Sequence, residues 1–458
     1  MSTITPFDPD SERARLVRLV DRITYGADRG TLAIAESLDY EGFVEWQLDD
    51  EAIDDGPLED LVRESLPTLS MSPLQLADHV FGQQNFGAAQ RDLVIATMIR
   101  RAFSPRQLYE RMVEFWSDHF NVPAIDPVSS YYKFLEDRDM MRARAMGRFE
   151  DLLQAEARSP AMLYYLDNAS NTADGPNENY ARELLELHTL GVDGGYTEED
   201  IKETARVFTG WTIGRPARFV FDPAAHDWGD KQVLGYPISP GGVGEGEFLL
   251  TRLAGHEATA RFLATKLARR FVEDLPDPAV VDDVADAFRV SDGDIRTTLR
   301  ALLLHPAVVE RMRLKLKRPN EFTAGVLRRL QPDPGVDVLG AIYQSLAAAG
   351  QVPFGWPAPD GYPDERAHWQ STSGFLMRFN SAFDWTRRLV QGSPVLREAA
   401  AADRLGDQAA ILVDALRPEG VSPRTRRIML RYANGLPEAQ RPAALAAWLL
   451  AGPEAQWR

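Results

Sequence analysis

Helical periodicity runs through most of this sequence and limits the folds that the chain can adopt. In residues 11–26, SERARLVRLVDRITYG, a serine suited to cap a helix precedes apolar residues at Leu16, Leu19 and Val20. Apolar residues spaced three and four apart are typical of amphipathic helices. The same pattern recurs several times between residues 256 and 312. The chain is therefore predicted to be a mainly α, multi-helix globular domain.

Strand signals are few. RFVFD (218–222) and KQVLG (231–235) flank a polar turn, which predicts one small β-hairpin. Residues 350–366, GQVPFGWPAPDGYPDER, form a long Pro- and aromatic-rich loop without periodicity. We expect a main helical domain at 1–349, then this loop, and a C-terminal helical portion at 367–458 that packs on the main domain.

The charge and the missing cysteines exclude several classes of protein. The 458-residue chain has a net charge of −17, which argues against binding to nucleic acid or to an anionic membrane. Without cysteine there is no iron–sulfur cluster or thiol nucleophile, and no nucleotide-binding motif is present; no nucleotide and no haem are expected. No signal peptide is recognisable, so a cytoplasmic location is expected for the chain as written.

The segment NENYARELLELHTLG (177–191) combines ordinary core leucines with many polar residues. At about 100° per residue, Asn179, Glu183 and Glu186 fall within an arc of ~60° on one helix. Two carboxylates three residues apart are a common way to offer a metal ion two oxygen ligands. The same face is also consistent with an exposed helix, because Arg182 has a glutamate four residues away on either side.

Two histidines add nitrogen ligands to this set of candidates. His119 lies in ERMVEFWSDHFNV (110–122), beside an aromatic helical face, and His226 opens the polar loop HDWGDK (226–231). A histidine next to an aspartate, here Asp227, suits a metal site or an acid–base site. Each histidine is equally compatible with a structural role in the core or in a polar turn.

Six segments resemble, in order along the chain, the motifs of the bacterial domain-of-unknown-function family 1800 (DUF1800). They are RMVEFWSDHF (111–120), NENYARELLELHTLG (177–191), YTEEDIKETARVFTGWT (196–212), HDWGDKQVLG (226–235), LHPAVVERMRLKLKRPNEF (304–322) and GQVPFGWPAPDGY (350–362). The resemblance implies a mostly helical fold and a bacterial origin. Relatives often carry an export signal, and none is recognisable in the sequence as written.

The resemblance also implies a partner and a set of polar positions. Relatives are often encoded near a family similar to alkaline phosphatases and sulfatases, so a protein of that kind is a possible partner. The polar signature of the family falls on His119, Asn177, Glu178, Asn179, Arg182, Glu183, Glu186, His226, Asp227 and Lys231. These positions favour a functional site over a merely solvated helix face.

Together these features predict a metal-dependent enzyme with a Glu/His site on a helical scaffold. The predicted ligands of a divalent metal ion are His119, Glu183, Glu186 and His226. Asp227 is expected to orient His226, and Arg182 or Lys231 to bind an anionic group. Asn177, Asn179 and Trp356 are the predicted contacts to a small-molecule or polymer substrate.

Hydrolysis is the default reaction, because metal-activated water needs the fewest additional groups. A carboxylate-bridged metal oxidoreductase is an alternative, although neither glutamate has the histidine three residues later that such helices carry. A non-catalytic helical binding or scaffold protein is the other alternative. In that case the Glu and Arg clusters would be buried ion networks that fix how the helices pack.

Overall fold

A computed structural model describes residues 11–311, 315–332, 342–344 and 346–458. The predicted mainly α fold is confirmed: the described residues form 24 α-helices and two small antiparallel hairpins. The first twelve helices are α1 Glu12–Ile23, α2 Arg29–Leu48, α3 Gly56–Ser65, α4 Pro73–Ala77, α5 Ala88–Phe103, α6 Gln107–His119, α7 Pro127–Glu136, α8 Arg142–Arg144, α9 Phe149–Glu156, α10 Pro160–Tyr165, α11 Glu178–Glu183 and α12 Glu198–Val207.

The second half continues the helical pattern. It contains α13 Val243–Ala254, α14 Glu257–Phe271, α15 Pro278–Val290, α16 Ile295–Leu303, α17 Pro306–Arg311, α18 Pro319–Leu330, α19 Arg366–Trp369, α20 Thr372–Arg388, α21 Pro394–Ala400, α22 Leu405–Leu416, α23 Pro423–Asn434 and α24 Arg441–Ala451. None of the described helices is both long enough and apolar enough to span a membrane.

Local sequence explains where helices begin. The side chain of Ser11 accepts a hydrogen bond from the backbone N–H of Ala14 at the start of α1. At α12, Thr197 and Asp200 form the reciprocal capping box that their spacing predicts. Both contacts satisfy backbone donors that the first turn of a helix leaves without partners.

The predicted hairpin between 218–222 and 231–235 is wrong. Strand β2 (Arg218–Phe221) pairs with β1 (Trp211–Gly214), and β3 (Lys231–Val233) pairs with β4 (Tyr236–Ile238). Each strand finds its partner across a shorter turn than the predicted one. The second turn has two central residues with positive φ, a backbone that suits two-residue hairpin loops.

Two hydrophobic cores hold the helices together. The first draws on residues between 16 and 308, and the second combines residues from 25–135 with residues from 322–451. The second core therefore takes side chains from both sides of residue 350. The division into 1–349, 350–366 and 367–458 stays a prediction.

The Pro- and aromatic-rich loop is fixed to α6 by its backbone. The side-chain amide of Asn121 donates hydrogen bonds to the carbonyl groups of Trp356 and Ala358, at 2.9 and 2.6 Å. Gly361 approaches the backbone of Asp118 so closely that a Cβ there would lie 2.0 Å from the Asp118 carbonyl oxygen. Only glycine fits this contact, which places residues 360–365 against the C-terminal end of α6.

Candidate functional site

The acidic segment 177–191 begins as an α-helix and continues as a π-helix. The side-chain oxygen of Asn177 caps α11 by accepting a hydrogen bond from the N–H of Asn179. After Glu183 the helix widens into a π-helical turn, Leu184–Thr189. The arc of polar residues expected for a regular α-helix therefore does not hold beyond Glu183, because a π turn changes the angle between successive side chains.

The predicted metal ligands are not brought together. Among the residues that the structure describes, no three His, Asp or Glu side chains are placed to hold a metal ion. His119 and His226 both have their ring nitrogens against protein atoms. Consequently His119, Glu183, Glu186 and His226 do not form one metal-binding group. A divalent metal ion stays a prediction.

His226 belongs to a buried cluster that holds the second hairpin to α13. Its Nε2 lies 2.9 Å from Oε1 of Glu245, and its Nδ1 lies 2.8 Å from the carbonyl oxygen of Thr209. The ammonium of Lys231 donates to the other oxygen of Glu245 at 2.7 Å. All three side chains of this cluster are buried, which explains the polar residues of the loop by packing.

Asp227 does not orient His226, and that prediction is wrong. Its carboxylate accepts two hydrogen bonds from Arg206, at 2.7 and 3.2 Å, and these bonds lower the pKa of Asp227 to about 2. Glu245 is the carboxylate that holds His226 instead. Glu245 could not be predicted as this partner, because it lies in the first turn of α13, outside the motif segments.

Arg182 lies on the surface side of α11. Its guanidinium donates to Glu198 at 2.9 and 3.1 Å and to Glu178 at 3.3 Å. Asn179 is exposed and Asn177 serves as the helix cap. The observed contacts of Arg182 match an exposed, ion-paired helix face, and the ligand contacts predicted for these residues stay predictions.

The candidate site is a cavity of about 300 Å³ between α6, α14 and residues 360–365 of the aromatic loop. Its walls include Phe115, His119, Phe262, Lys266, Asp360 and Tyr362. Ionisable residues make up much of the remaining wall, and aromatic rings cover part of it; the further ionisable residues are Asp118, Arg269, Arg270, Asp364 and Glu365. A larger hollow of about 500 Å³ lies between Trp369 and Trp457, but Arg378 is the only titratable side chain in its wall.

Lys266 and His119 are joined by a hydrogen bond in the wall of this cavity. The ring N–H at Nε2 of His119 donates to the carbonyl oxygen of His188, at 3.1 Å. That carbonyl is available because the π turn ends at Thr189 and leaves its last carbonyl groups without helical partners. The Nδ1 atom of His119 consequently carries a lone pair, which accepts a hydrogen bond from Lys266 Nζ at 2.9 Å.

Burial lowers the pKa of all three bases of this cluster, Lys266, His119 and His188. Desolvation lowers the pKa of Lys266 to about 8, and the positive charges of Arg270 and Arg269 add to this effect against two nearby aspartates. Desolvation also holds the pKa of His119 well below its usual range and lowers that of His188 to about 3, and in both cases Lys266 contributes. A lysine of this kind is partly neutral near physiological pH.

A buried ion network supports the floor of the cavity. Glu114 lies 2.8 Å from Arg318 and 3.3 Å from both Arg270 and Arg101. Burial opposes the charge of Glu114, but these arginines outweigh it and hold its pKa below the usual range. Arg270 also binds Asp118 at 2.9 Å, which fixes the residue next to His119.

Other predicted residues lie near the rim. Asp360, a wall residue, accepts a hydrogen bond from the indole N–H of Trp356 at 2.8 Å. The pKa of Glu183 is raised by burial first, then by the negative charges of Glu186 and Asp360. Glu183 therefore lies within electrostatic range of the wall residue Asp360. Trp356 contacts the same wall residue through its hydrogen bond to Asp360.

The comparison with known proteins is decisive for the family. A family profile described as "Protein of unknown function (DUF1800)" matches residues 18–457. The chain belongs to the DUF1800 family. No curated protein and no solved structure gives a match. In this DUF1800 protein the cavity therefore has to be interpreted from its own residues.

The sequence offered little to identify Lys266 in this DUF1800 protein. It lies in ATARFLATKLARRF, an amphipathic helix in which a lysine is unremarkable. His119 was found because of its aromatic segment, but its partner lies 147 residues away along the chain. The one available signal was the scarcity of lysine, since the chain contains only Lys133, Lys202, Lys231, Lys266, Lys315 and Lys317.

Proposed function

We propose that this protein is an enzyme whose active site is the cavity beside Lys266. The observation that carries the proposal is the Lys266–His119 pair: an amine with a lowered pKa that faces a cavity and whose one hydrogen bond goes to a neutral histidine. Buried lysines with lowered pKa values act as general bases or nucleophiles in enzymes. In this proposal Lys266 transfers a proton to or from the substrate.

In this proposal His119 orients Lys266 and relays its proton. Its Nε2 is held by the His188 carbonyl, so that its Nδ1 faces Lys266 in one tautomer. It can accept a proton from the amine for a short time and return it. Hydrolysis remains the reaction that we propose first, because water and one proton-transfer group are sufficient for it.

The proposed reaction does not depend on a metal ion. Lys266 supplies proton transfer without a cation, and the histidine nitrogens that a metal would need are occupied by protein groups. The proposal thus keeps the hydrolysis expected from the sequence. It places the reacting group on α14 instead of at Glu183 and Glu186.

A panel of activated esters, such as p-nitrophenyl acetate, tests this function. We expect hydrolysis that rises with pH around a midpoint of about 8, the pKa of Lys266. The Lys266→Met variant should lose this activity, and the Lys202→Met variant, which changes an exposed lysine, should keep it. Equal activity in both variants would show that the cavity is not the active site.

A second candidate function is a scaffold that binds another protein, such as the phosphatase- or sulfatase-like partner suggested by the resemblance. The observation that favours it is the buried network of Glu114, Glu321, Arg111 and Arg318, which links α6 to α18. Buried ion networks of this kind can fix the packing of helices without any catalytic role. A scaffold would not need an accessible amine, so reactivity at Lys266 distinguishes the two functions.

A further inference from the structure

Lys266 differs from the other lysines of the chain in its contacts. Three buried lysines each have a carboxylate within 3 Å: Lys133 with Glu136, Lys231 with Glu245 and Lys315 with Asp274. Lys266 has no carboxylate within ion-pair distance among the described residues, and its hydrogen bond goes to His119. A lysine whose role is structural would be expected to have such a counter-ion when buried.

Lys317 shows that burial alone does not make a reactive amine. Its pKa is lowered to about 7 by burial, and its ammonium donates to the carbonyl oxygen of Ala455. However, Lys317 lines none of the cavities described above and is almost completely buried. Lys266 combines the lowered pKa with a cavity that a small molecule can enter.

The surroundings of Lys266 limit which molecule fits. Phe115, Phe262 and Tyr362 give the cavity aromatic walls, and Lys266 Nζ lies 5.3 Å from the ring centre of Phe262. The two arginines in the wall, Arg269 and Arg270, are already bound to carboxylates. Most wall charges are therefore paired, and the amine of Lys266 and the carboxylate of Asp360 are the charged wall groups without an ion-pair partner among the described residues.

We propose that Lys266 forms an imine with a small apolar or aromatic aldehyde or ketone. The inference rests on the accessible amine of the proposed function and goes beyond its hydrolytic reaction, because it gives the same amine a nucleophilic role. An amine with a lowered pKa is suited to this reaction, because the neutral nitrogen is the nucleophile. The aromatic rings of the wall bind the carbon skeleton of the substrate.

The reaction balances without any oxidant or reductant. The Nζ lone pair adds to the carbonyl carbon, a C–N bond forms, and the C=O electron pair moves onto oxygen. His119 Nδ1 takes one Nζ proton and gives it to the oxygen, which forms a carbinolamine. The second Nζ proton follows the same route as the C–O bond breaks, so the oxygen leaves as water with both Nζ protons. The nitrogen lone pair then completes the C=N bond, so amine and carbonyl compound give imine and water.

Trapping with benzaldehyde and sodium cyanoborohydride tests the inference on the full-length protein. The reductant converts an imine into a stable benzylamine, and peptide mapping by mass spectrometry locates it. At pH 7 a lysine of pKa about 8 has a neutral fraction a few hundredfold larger than a lysine of ordinary pKa. We expect the adduct at Lys266 to form at least about tenfold faster than at the exposed Lys202 of the same molecule.

Variants control for location and for the role of His119. Lys266→Arg should abolish the adduct at this site while Lys202 is still modified, and Lys317 should remain unmodified. His119→Gln should slow the adduct at Lys266 severalfold, and Phe115→Leu offers a milder change of the same wall. Modification at Lys202 that equals or exceeds modification at Lys266 would overturn the inference.

Acetylation with acetic anhydride separates this inference from the proposed function. If Lys266 is acetylated with a midpoint of about 8 but gives no benzyl adduct, imine formation is refuted and the proton-transfer function stands. If Lys266 gives neither product while Lys202 gives both, the cavity is closed to small molecules and both proposals fail. An adduct at Lys266 together with fast acetylation supports both.

Discussion

Replacing Lys266 by methionine should stabilise the fold at neutral pH. Burial lowers the pKa of this lysine from its ordinary value of 10.5 to about 8. At about 1.4 kcal/mol for each pKa unit, the charged amine costs the folded state roughly 3 kcal/mol below pH 8. Methionine has a similar length and carries no charge, so the variant avoids this cost.

The net gain should be smaller than the electrostatic cost. Methionine cannot donate to His119, and the loss of one hydrogen bond costs about 0.5–1.5 kcal/mol. The expected increase in the free energy of unfolding is therefore roughly 2 kcal/mol at pH 6.5. Since a lysine with a lowered folded pKa destabilises the protein while it is protonated, the difference should shrink as pH rises from about 8 to 10.5.

Urea unfolding followed by tryptophan fluorescence at pH 6.5 and pH 10 measures this difference. Two further lysine-to-methionine variants give the comparison. Lys133→Met removes the partner of the buried Glu136 and should lose roughly 3–5 kcal/mol, and the exposed Lys202→Met should change by less than about 0.5 kcal/mol. A loss of more than 1 kcal/mol in Lys266→Met at pH 6.5 would refute the reasoning, because it would make Lys266 a structural lysine like Lys133.

Three more predictions concern residues around the site. Glu114→Gln should destabilise the protein by roughly 3–5 kcal/mol at pH 7, since it leaves buried arginines without a partner. Because its folded pKa is lowered, the contribution of Glu114 is complete above about pH 4.5 and is lost as the pH falls, so urea midpoints of variant and wild type should converge in acid. Arg269→Gln should raise the pKa of Lys266 above about 8, measurable as a shift in its acetylation profile, because a repelling charge is removed. Arg182→Gln should change stability by less than about 1 kcal/mol in thermal unfolding, since its ion pairs are solvent-exposed.

The fold could be predicted from sequence where the signal is local. Amphipathic spacing and capping residues such as Ser11 and Thr197 act within one or two turns, so the helices and their starts follow from the sequence. The pairing of strands is not local in this way. The segments 218–222 and 231–235 both have the composition of strands. Each pairs with a neighbouring strand across a short turn, at 215–217 and at 234–235, and composition alone does not identify these turns.

The site was predicted only in part. His119 and residues 360–365 of the aromatic loop line one cavity, whereas the metal and substrate contacts expected of His119 and Trp356 stay predictions. The glutamates of 177–191 were predicted as ligands because their charge and spacing can be read from the sequence. In the structure this segment contributes a backbone group, the carbonyl of His188, to the cluster. Lys266 could not be found, because its lowered pKa comes from burial, which depends on the tertiary structure.

The Lys266 titration tests the central claim most directly. In protein labelled with ¹³C at lysine Cε, six side-chain resonances are expected, and the one that disappears in Lys266→Met belongs to Lys266. A corresponding Lys317→Met spectrum identifies the second lysine with a lowered pKa, which burial brings to about 7. The structure predicts that the Lys266 resonance titrates with a midpoint near 8 and that the midpoint moves up in Arg269→Gln. A Lys266 resonance with a midpoint near 10.5 would contradict the claim that the cavity contains a reactive amine.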